Sequence, residues 1–143
     1  MWPCYREEAL RPRLGTQSKI YFTDPVYAQL GLDAPLDASL MSEQQLGMAL
    51  WRSFERERPG SYVESDRVLF HRTRTRREID FVGPEFGGCA IESKYVDGRW
   101  KRNAQTLQAS CWRGILATRS ELNLDDPEVA AIPAAMLAWL LDS

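Results

Sequence analysis

Arg77-Glu78-Ile79-Asp80-Phe81-Val82, then Gly83-Pro84-Glu85-Phe86-Gly87-Gly88, then Cys89-Ala90-Ile91-Glu92-Ser93-Lys94-Tyr95-Val96: the reading of the chain turns on this stretch. The outer segments carry the apolar and aromatic residues of short strands, and the glycine- and proline-rich middle reads as the turn between them. Side chains alternate along a strand, so Glu92 and Lys94 share one face while Ile91, Ser93 and Tyr95 take the other. Asp80 likewise points away from Ile79 and Phe81. The hairpin therefore brings two carboxylates and an ammonium together above an apolar layer. That is a minimal set for holding a divalent cation and activating water beside a phosphate. The competing reading is a solvated cross-strand ion-pair cluster with Lys94 bonded to Asp80 or Glu92, worth about 0.2–1 kcal/mol. Glu78 shares the face of Asp80 and is either a further ligand or a partner for a neighbouring arginine.

Working outward, residues 68–72 read as a strand and 73–76 as a polar turn. Ser42 reads as an N-cap, and Leu46, Leu50, Trp51 and Phe54 recur at helical spacing, which predicts a helix over 43–56 stopped by Pro59-Gly60. Residues 19–23 form a short strand ended by Asp24-Pro25. Residues 1–17 show prolines and charges without period and read as an irregular lead-in, which places the domain at 18–143. Downstream, a helix is expected over 101–111, a buried strand over 114–118, a further short strand over 129–132, and a last helix over 134–141 that is apolar all round and docks on the core, with a partner interface as the alternative. Three strands joined by short turns pair antiparallel, and a fourth arriving through a helix adds in parallel. The expected fold is α/β, a mixed sheet of four to five strands flanked by helices.

At 143 residues and 44% apolar content the chain is one domain with a real core, which excludes wholesale disorder. A net charge of −2 argues against a generic polyanion binder. The charge is uneven, however. Arg67, Arg72, Arg74, Arg76 and Arg77 precede or adjoin Asp80, Arg99, Lys101 and Arg102 follow Lys94, and acidic residues gather over 121–128. Local basicity of this kind attracts a phosphate backbone; arginines that merely solvate a hairpin are the alternative. Cys4, Cys89 and Cys111 are too few and too scattered for a disulfide framework or a zinc site. The single histidine, His71, excludes a multi-histidine metal centre. No signal peptide is visible, and the apolar run at 134–141 is too short to span a bilayer, so a cytoplasmic protein with reduced thiols and no membrane partner is expected.

The order strand Asp, turn, strand Glu-x-Lys, helix, strand resembles the PD-(D/E)XK nuclease superfamily, whose fold is restriction-endonuclease-like. More narrowly, the chain resembles the uncharacterised domain at the C-terminus of many prokaryotic AAA-type ATPases. The residues that carry this are Lys19-Ile20-Tyr21-Phe22-Thr23-Asp24, a glycine-containing helix with Gly47, Arg72-Thr73 leading to Glu78-Ile79-Asp80-Phe81-Val82, Glu92-Ser93-Lys94, and the closing Ala117-Thr118-Arg119. The resemblance runs over nearly the whole chain from Lys19.

It implies a metal-dependent nuclease acting on nucleic acid, DNA foremost, with magnesium or manganese as cofactor. Asp80, Glu92 and the backbone carbonyl of Ser93 would hold the ion, and Lys94 would orient water or offset charge on the phosphoryl group. The helix glutamate of the family, four residues after its glycine, is Trp51 here; Glu43 or Glu55 takes its place, Glu43 preferred. Arg72, Arg74, Arg76, Lys101, Arg102 and Gln105 would contact nucleic acid, with Trp100 and Trp112 as stacking or core residues. No P-loop is present, since Gly15-Thr16-Gln17-Ser18-Lys19 lacks the spacing. An ATPase would therefore act as a partner domain or subunit. A catalytically inactive nucleic-acid-binding or regulatory module is the alternative implied function.

Overall fold

The computed structural model describes residues 2–8, 11–24, 26–27, 30, 37–57, 67–73, 77–86, 88–98, 100–109 and 113–143. Strand β1 (Trp2–Glu8) pairs antiparallel with β2 (Arg11–Tyr21), Cys4 opposite Lys19. This corrects the irregular lead-in expected over 1–17. Pro3 and Pro12 hide the strand pattern in the sequence. Neither breaks the pairing, because β2 is the outermost strand, where a missing N–H is tolerated, and Pro3 lies at the start of β1. Alternation along the end of β2 turns Tyr21 into the core and leaves Ile20 exposed.

Helix α1 (Ala38–Glu57) starts earlier than the expected residue 43. Asp37 is the residue that caps it: its carboxylate accepts the Ser39 N–H at 2.7 Å and its carbonyl accepts the Met41 N–H at 3.0 Å. Ser42, expected as the cap, lies inside the helix and is buried. The expected Pro59-Gly60 stop lies outside the described residues.

Strand β3 (Leu69–Arg72) runs parallel to β1 and antiparallel to β4 (Glu78–Val82), which pairs antiparallel with β5 (Cys89–Ser93). After α2 (Trp100–Ala109), β6 (Arg113–Thr118) joins β5 in parallel, β7 (Val129–Pro133) joins β6 in parallel, and α3 (Ala134–Asp142) follows. The expected pairing, three antiparallel strands and a fourth added in parallel through a helix, is the pairing of β3 to β6. Among the described residues the sheet has seven strands in the order β2-β1-β3-β4-β5-β6-β7. It is a mixed sheet flanked by helices, wider than the four to five strands expected because the N-terminal hairpin extends one side and β7 the other.

One apolar cluster joins Tyr21, Phe70, Phe81 and Ile91 of the sheet to Leu46, Leu50 and Phe54 of α1 and Leu137 of α3. A second joins Leu69, Ile79, Val82, Leu116 and Val129 to Ala104 and Leu107 of α2. Each fully buried large side chain contributes about 1.5–3 kcal/mol relative to exposure. The turn after β4 requires glycine at 83, where a Cβ would stand 2.0 Å from the Arg67 carbonyl oxygen. Helix α3 docks on the core through Ala134 and Leu137, as expected, while Met136, Trp139 and Leu140 remain exposed. Among the described residues no helix is long and apolar enough to cross a membrane.

Candidate active site: a lysine-bridged carboxylate cleft

The β4–β5 ladder is closed by the pair Phe81–Ile91. One residue further along, that register sets Asp80 opposite Glu92. There the Ser93 N–H donates to Asp80 Oδ2 at 2.8 Å, so a side chain takes up a strand N–H where the two strands part. The opening is a cleft of about 430 Å³. Ser39, Leu40 and Glu43 of α1 line it, with Arg77, Glu78 and Asp80 at β4, Glu92, Ser93 and Lys94 at β5, and Thr106 of α2.

The expected trio meets here. Lys94 lies just past β5, its N–H donating to the Ala117 carbonyl at 2.8 Å, and its Nζ pairs with Glu92 Oε1 at 2.7 Å. Glu92 is 1% exposed, and its other oxygen, Oε2, is buried without a hydrogen-bond partner. Burial, then the neighbouring Asp80 charge, push the Glu92 carboxyl up to about 7 against the pull of Lys94. Burial pulls the Lys94 ammonium down, but the Glu92 charge and hydrogen bond outweigh it and leave the group raised.

Sequence reasoning missed Lys19 as a site residue. Its Nζ lies 2.7 Å from Glu43 Oε1, 2.7 Å from Glu78 Oε1 and 2.8 Å from Asp80 Oδ1. The Phe70 ring lies beneath, its centroid 5.5 Å from the nitrogen. Burial disfavours this charge, yet Asp80 and Glu43 more than offset the penalty and raise the Lys19 pKa. Tyr21, two residues on and so on the same strand face, donates its hydroxyl to Glu43 Oε1 at 2.9 Å. Burial and the Glu43 charge raise the phenol well above its usual range, which keeps it a neutral donor. Burial, then Asp80, raise the Glu43 carboxyl. Cys4, across from Lys19 on β1, is buried and pushed up to about 12, chiefly by burial, so it is an unreactive thiol.

The other expected residues have the following surroundings. Glu43, expected as a metal ligand, is engaged by Lys19 and Tyr21. Glu78 pairs with Lys19 and, at 3.7 Å, with Arg72 Nε, and Arg72 also bonds Gln17. Gln105 is exposed and does not line the cleft; the next residue, Thr106, does. Lys101 and Arg102 are exposed and border a smaller hollow of about 310 Å³ with Gly98, Trp100 and Glu121. Trp100 packs against the α2-side core. Arg74, Arg76, Cys111 and Trp112 lie outside the described residues. His71 pairs with Glu7, Nδ1 to Oε2 at 2.9 Å.

A magnesium ion is satisfied by one or two carboxylates and several waters. Among the described residues no three acidic, histidine or cysteine side chains stand ready as a metal cage. The pair Asp80 and Glu92 nonetheless suits a single hard cation: both line the cleft, and Glu92 Oε2 is an unsatisfied buried oxygen that a cation would complete. Compared with protein-family models, with curated proteins and with solved structures, the chain finds no match.

Proposed function

We propose that the chain is a metal-dependent nuclease domain of restriction-endonuclease-like fold, hydrolysing phosphodiester bonds in nucleic acid and related to the C-terminal domain of AAA-type ATPases. One observation carries the reading: Asp80 and Glu92, from adjacent antiparallel strands, line one cleft with Lys94, and Glu92 keeps an unsatisfied buried oxygen there. Magnesium or manganese held by Asp80, Glu92 and the Ser93 carbonyl would supply a water of lowered pKa and a counter-charge for the phosphate. The Ser93 N–H fixes the Asp80 carboxylate through Oδ2. Lys94, charged and anchored by Glu92, offers an ammonium to charge developing on the phosphoryl oxygens. Arg77 at the cleft wall and exposed Lys101 and Arg102 supply positive charge for the backbone of the substrate.

The test is incubation of the chain with plasmid, single-stranded DNA and RNA in magnesium or manganese, alongside Asp80→Asn and Glu92→Gln, with calorimetric titration of the metal. Cleavage and metal uptake lost in both variants are expected. Equal inertness of wild type and variants, with no metal bound, removes the enzyme. In that case the second reading stands, a non-catalytic module that binds nucleic acid or regulates an ATPase partner. It is favoured by the Lys19 ammonium, which already holds one oxygen each of Glu43, Glu78 and Asp80 at 2.7–2.8 Å and so competes with a metal for them, and it predicts salt-sensitive binding that survives Asp80→Asn.

A further inference from the structure

Three carboxylates, Glu43 of α1 and Glu78 and Asp80 of β4, aim one oxygen each at a single point, and that point is taken by the Lys19 nitrogen at 2.7–2.8 Å from each. With the ammonium in that place the three carboxylates form no open metal group. The arrangement is built, not incidental. Lys19 is brought in by β2, its Nζ stands over the Phe70 ring, and Tyr21 from the same strand face holds Glu43 in place. The Lys19 side chain is largely buried, with 18% of it exposed.

A second observation in the same cleft shows that its carboxylates outnumber their partners. Glu92, almost wholly buried, has one oxygen on Lys94 and the other unpartnered. Asp80 stands between the two systems, Oδ1 on Lys19 and Oδ2 on the Ser93 N–H.

We propose that the Lys19 ammonium fills a second cation position, so that the cleft takes at most one divalent ion, beside Asp80 and Glu92, and that removing this ammonium opens a further divalent site on Glu43, Glu78 and Asp80. A magnesium or manganese ion there would draw the oxygens in to about 2.0–2.2 Å, a movement of well under 1 Å, and needs only one or two of the three carboxylates. The first part of the proposal rests on the function proposed above. The second does not, because it concerns the difference between two proteins and not the count in either.

The experiment is manganese titration followed by calorimetry, with the free ion counted by electron paramagnetic resonance, on wild type and Lys19→Met. One additional manganese ion per chain in Lys19→Met is expected, and adding Glu43→Gln and Glu78→Gln to that variant should abolish the extra ion. If wild type takes up no metal but Lys19→Met takes up one, the metal-dependent function fails while the ammonium-filled site stands. An unchanged count in folded Lys19→Met overturns the inference, as does a wild type that already binds two ions. Loss of a buried ammonium among carboxylates can unfold the chain, so a second variant, Lys19→Met with Glu78→Gln, keeps the local charge of the wild type and still presents Glu43 and Asp80. It too should gain one ion. If neither variant folds even in saturating manganese, a divalent ion does not replace the ammonium and the inference is wrong.

Discussion

The Tyr21 ring packs directly on the backbone of Gly47: a Cβ at that position would come within 2.9 Å of the ring. The absent side chain lets β2 approach α1 closely enough for the Tyr21 hydroxyl to reach Glu43, one helical turn before Gly47, at 2.9 Å. A glycine in the middle of a helix thus positions a carboxylate of the cleft.

Gly47→Ala should therefore destabilise the protein, against helix propensity. Alanine in a helix interior is normally better than glycine by about 0.5–1 kcal/mol. Here overpacking against the Tyr21 ring costs about 1–3 kcal/mol, and a net loss of about 1 kcal/mol is expected. In a Tyr21→Ala background the sign reverses and Gly47→Ala stabilises. Urea unfolding of the four proteins in the cycle checks this; additive effects would mean the ring does not rest on Gly47.

Stability should fall as pH rises from about 4.5 to about 7, and Glu92 should be a main cause. Its folded pKa, about 7, exceeds the unfolded value of 4.5. Between these values the folded state holds a proton that the unfolded state has released, so raising the pH favours unfolding, and the effect is complete above 7. At about 1.36 kcal/mol per unit the change is of the order of 3 kcal/mol. Thermal melts of Glu92→Gln at pH 5 and pH 8 should differ less than those of wild type by that amount. Manganese added at pH 8 should stabilise wild type and leave Glu92→Gln little changed.

The hairpin at 77–96 is legible because its determinants are local: short apolar runs, a turn rich in glycine and proline, and strand alternation that predicts Asp80, Glu92 and Lys94 at one place. Pairing across β3, β4, β5 and β6 follows from connection length alone. Lys19 is not legible in the same way. A single lysine in a strand looks like any solvated charge, and its partners Glu43 and Asp80 lie 24 and 61 residues away. The available signal is that Lys19 and Tyr21 are two apart, so a strand that buries the tyrosine turns the lysine the same way. The N-terminal hairpin was hidden because its prolines read as breakers until the outermost position of β2 is known. Ser42 looks like a cap because serine caps are common, but Asp37, five residues earlier, captures the first free N–H groups.

Replacing Lys94 by methionine should lower cleavage far more than metal binding. Its ammonium pairs with Glu92 and lines the cleft, where, on the proposed function, it would meet charge that develops only during reaction. Loss of one such stabilising group lowers kcat by about 10²–10³-fold. On the proposed function, Asp80→Asn should instead abolish both metal uptake and cleavage, because the amide removes the ionised oxygen that would bind the cation while leaving an acceptor for Lys19 or the Ser93 N–H. Single-turnover cleavage at saturating manganese, with calorimetry in parallel, separates the two. Equal metal loss in Lys94→Met would mark that lysine as structural.

The end of the chain is tied to the helix that carries Glu43. Arg52 of α1 grips Asp142 with Nε at 2.9 Å and Nη2 at 2.7 Å, and Arg56 donates to the Leu141 and Asp142 carbonyls, both at 2.7 Å, where α3 runs out of its own donors. The Arg52 hydrogen bonds hold the Asp142 carboxyl below its usual range. A lowered folded pKa means that the pair stabilises the fold above the unfolded value of 3.8 and that this contribution disappears as the pH falls through the folded pKa. The groups are exposed, so Asp142→Ala should cost only about 0.5–1 kcal/mol at pH 7. The cost should shrink further at high salt, where exposed pairs are screened. Amide hydrogen exchange should show the loss confined to the last turn of α3 and the facing turn of α1. Protection at Gly47 and Met48, against Tyr21 and the core, should stay unchanged, because their packing is apolar and does not depend on the terminal ion pair.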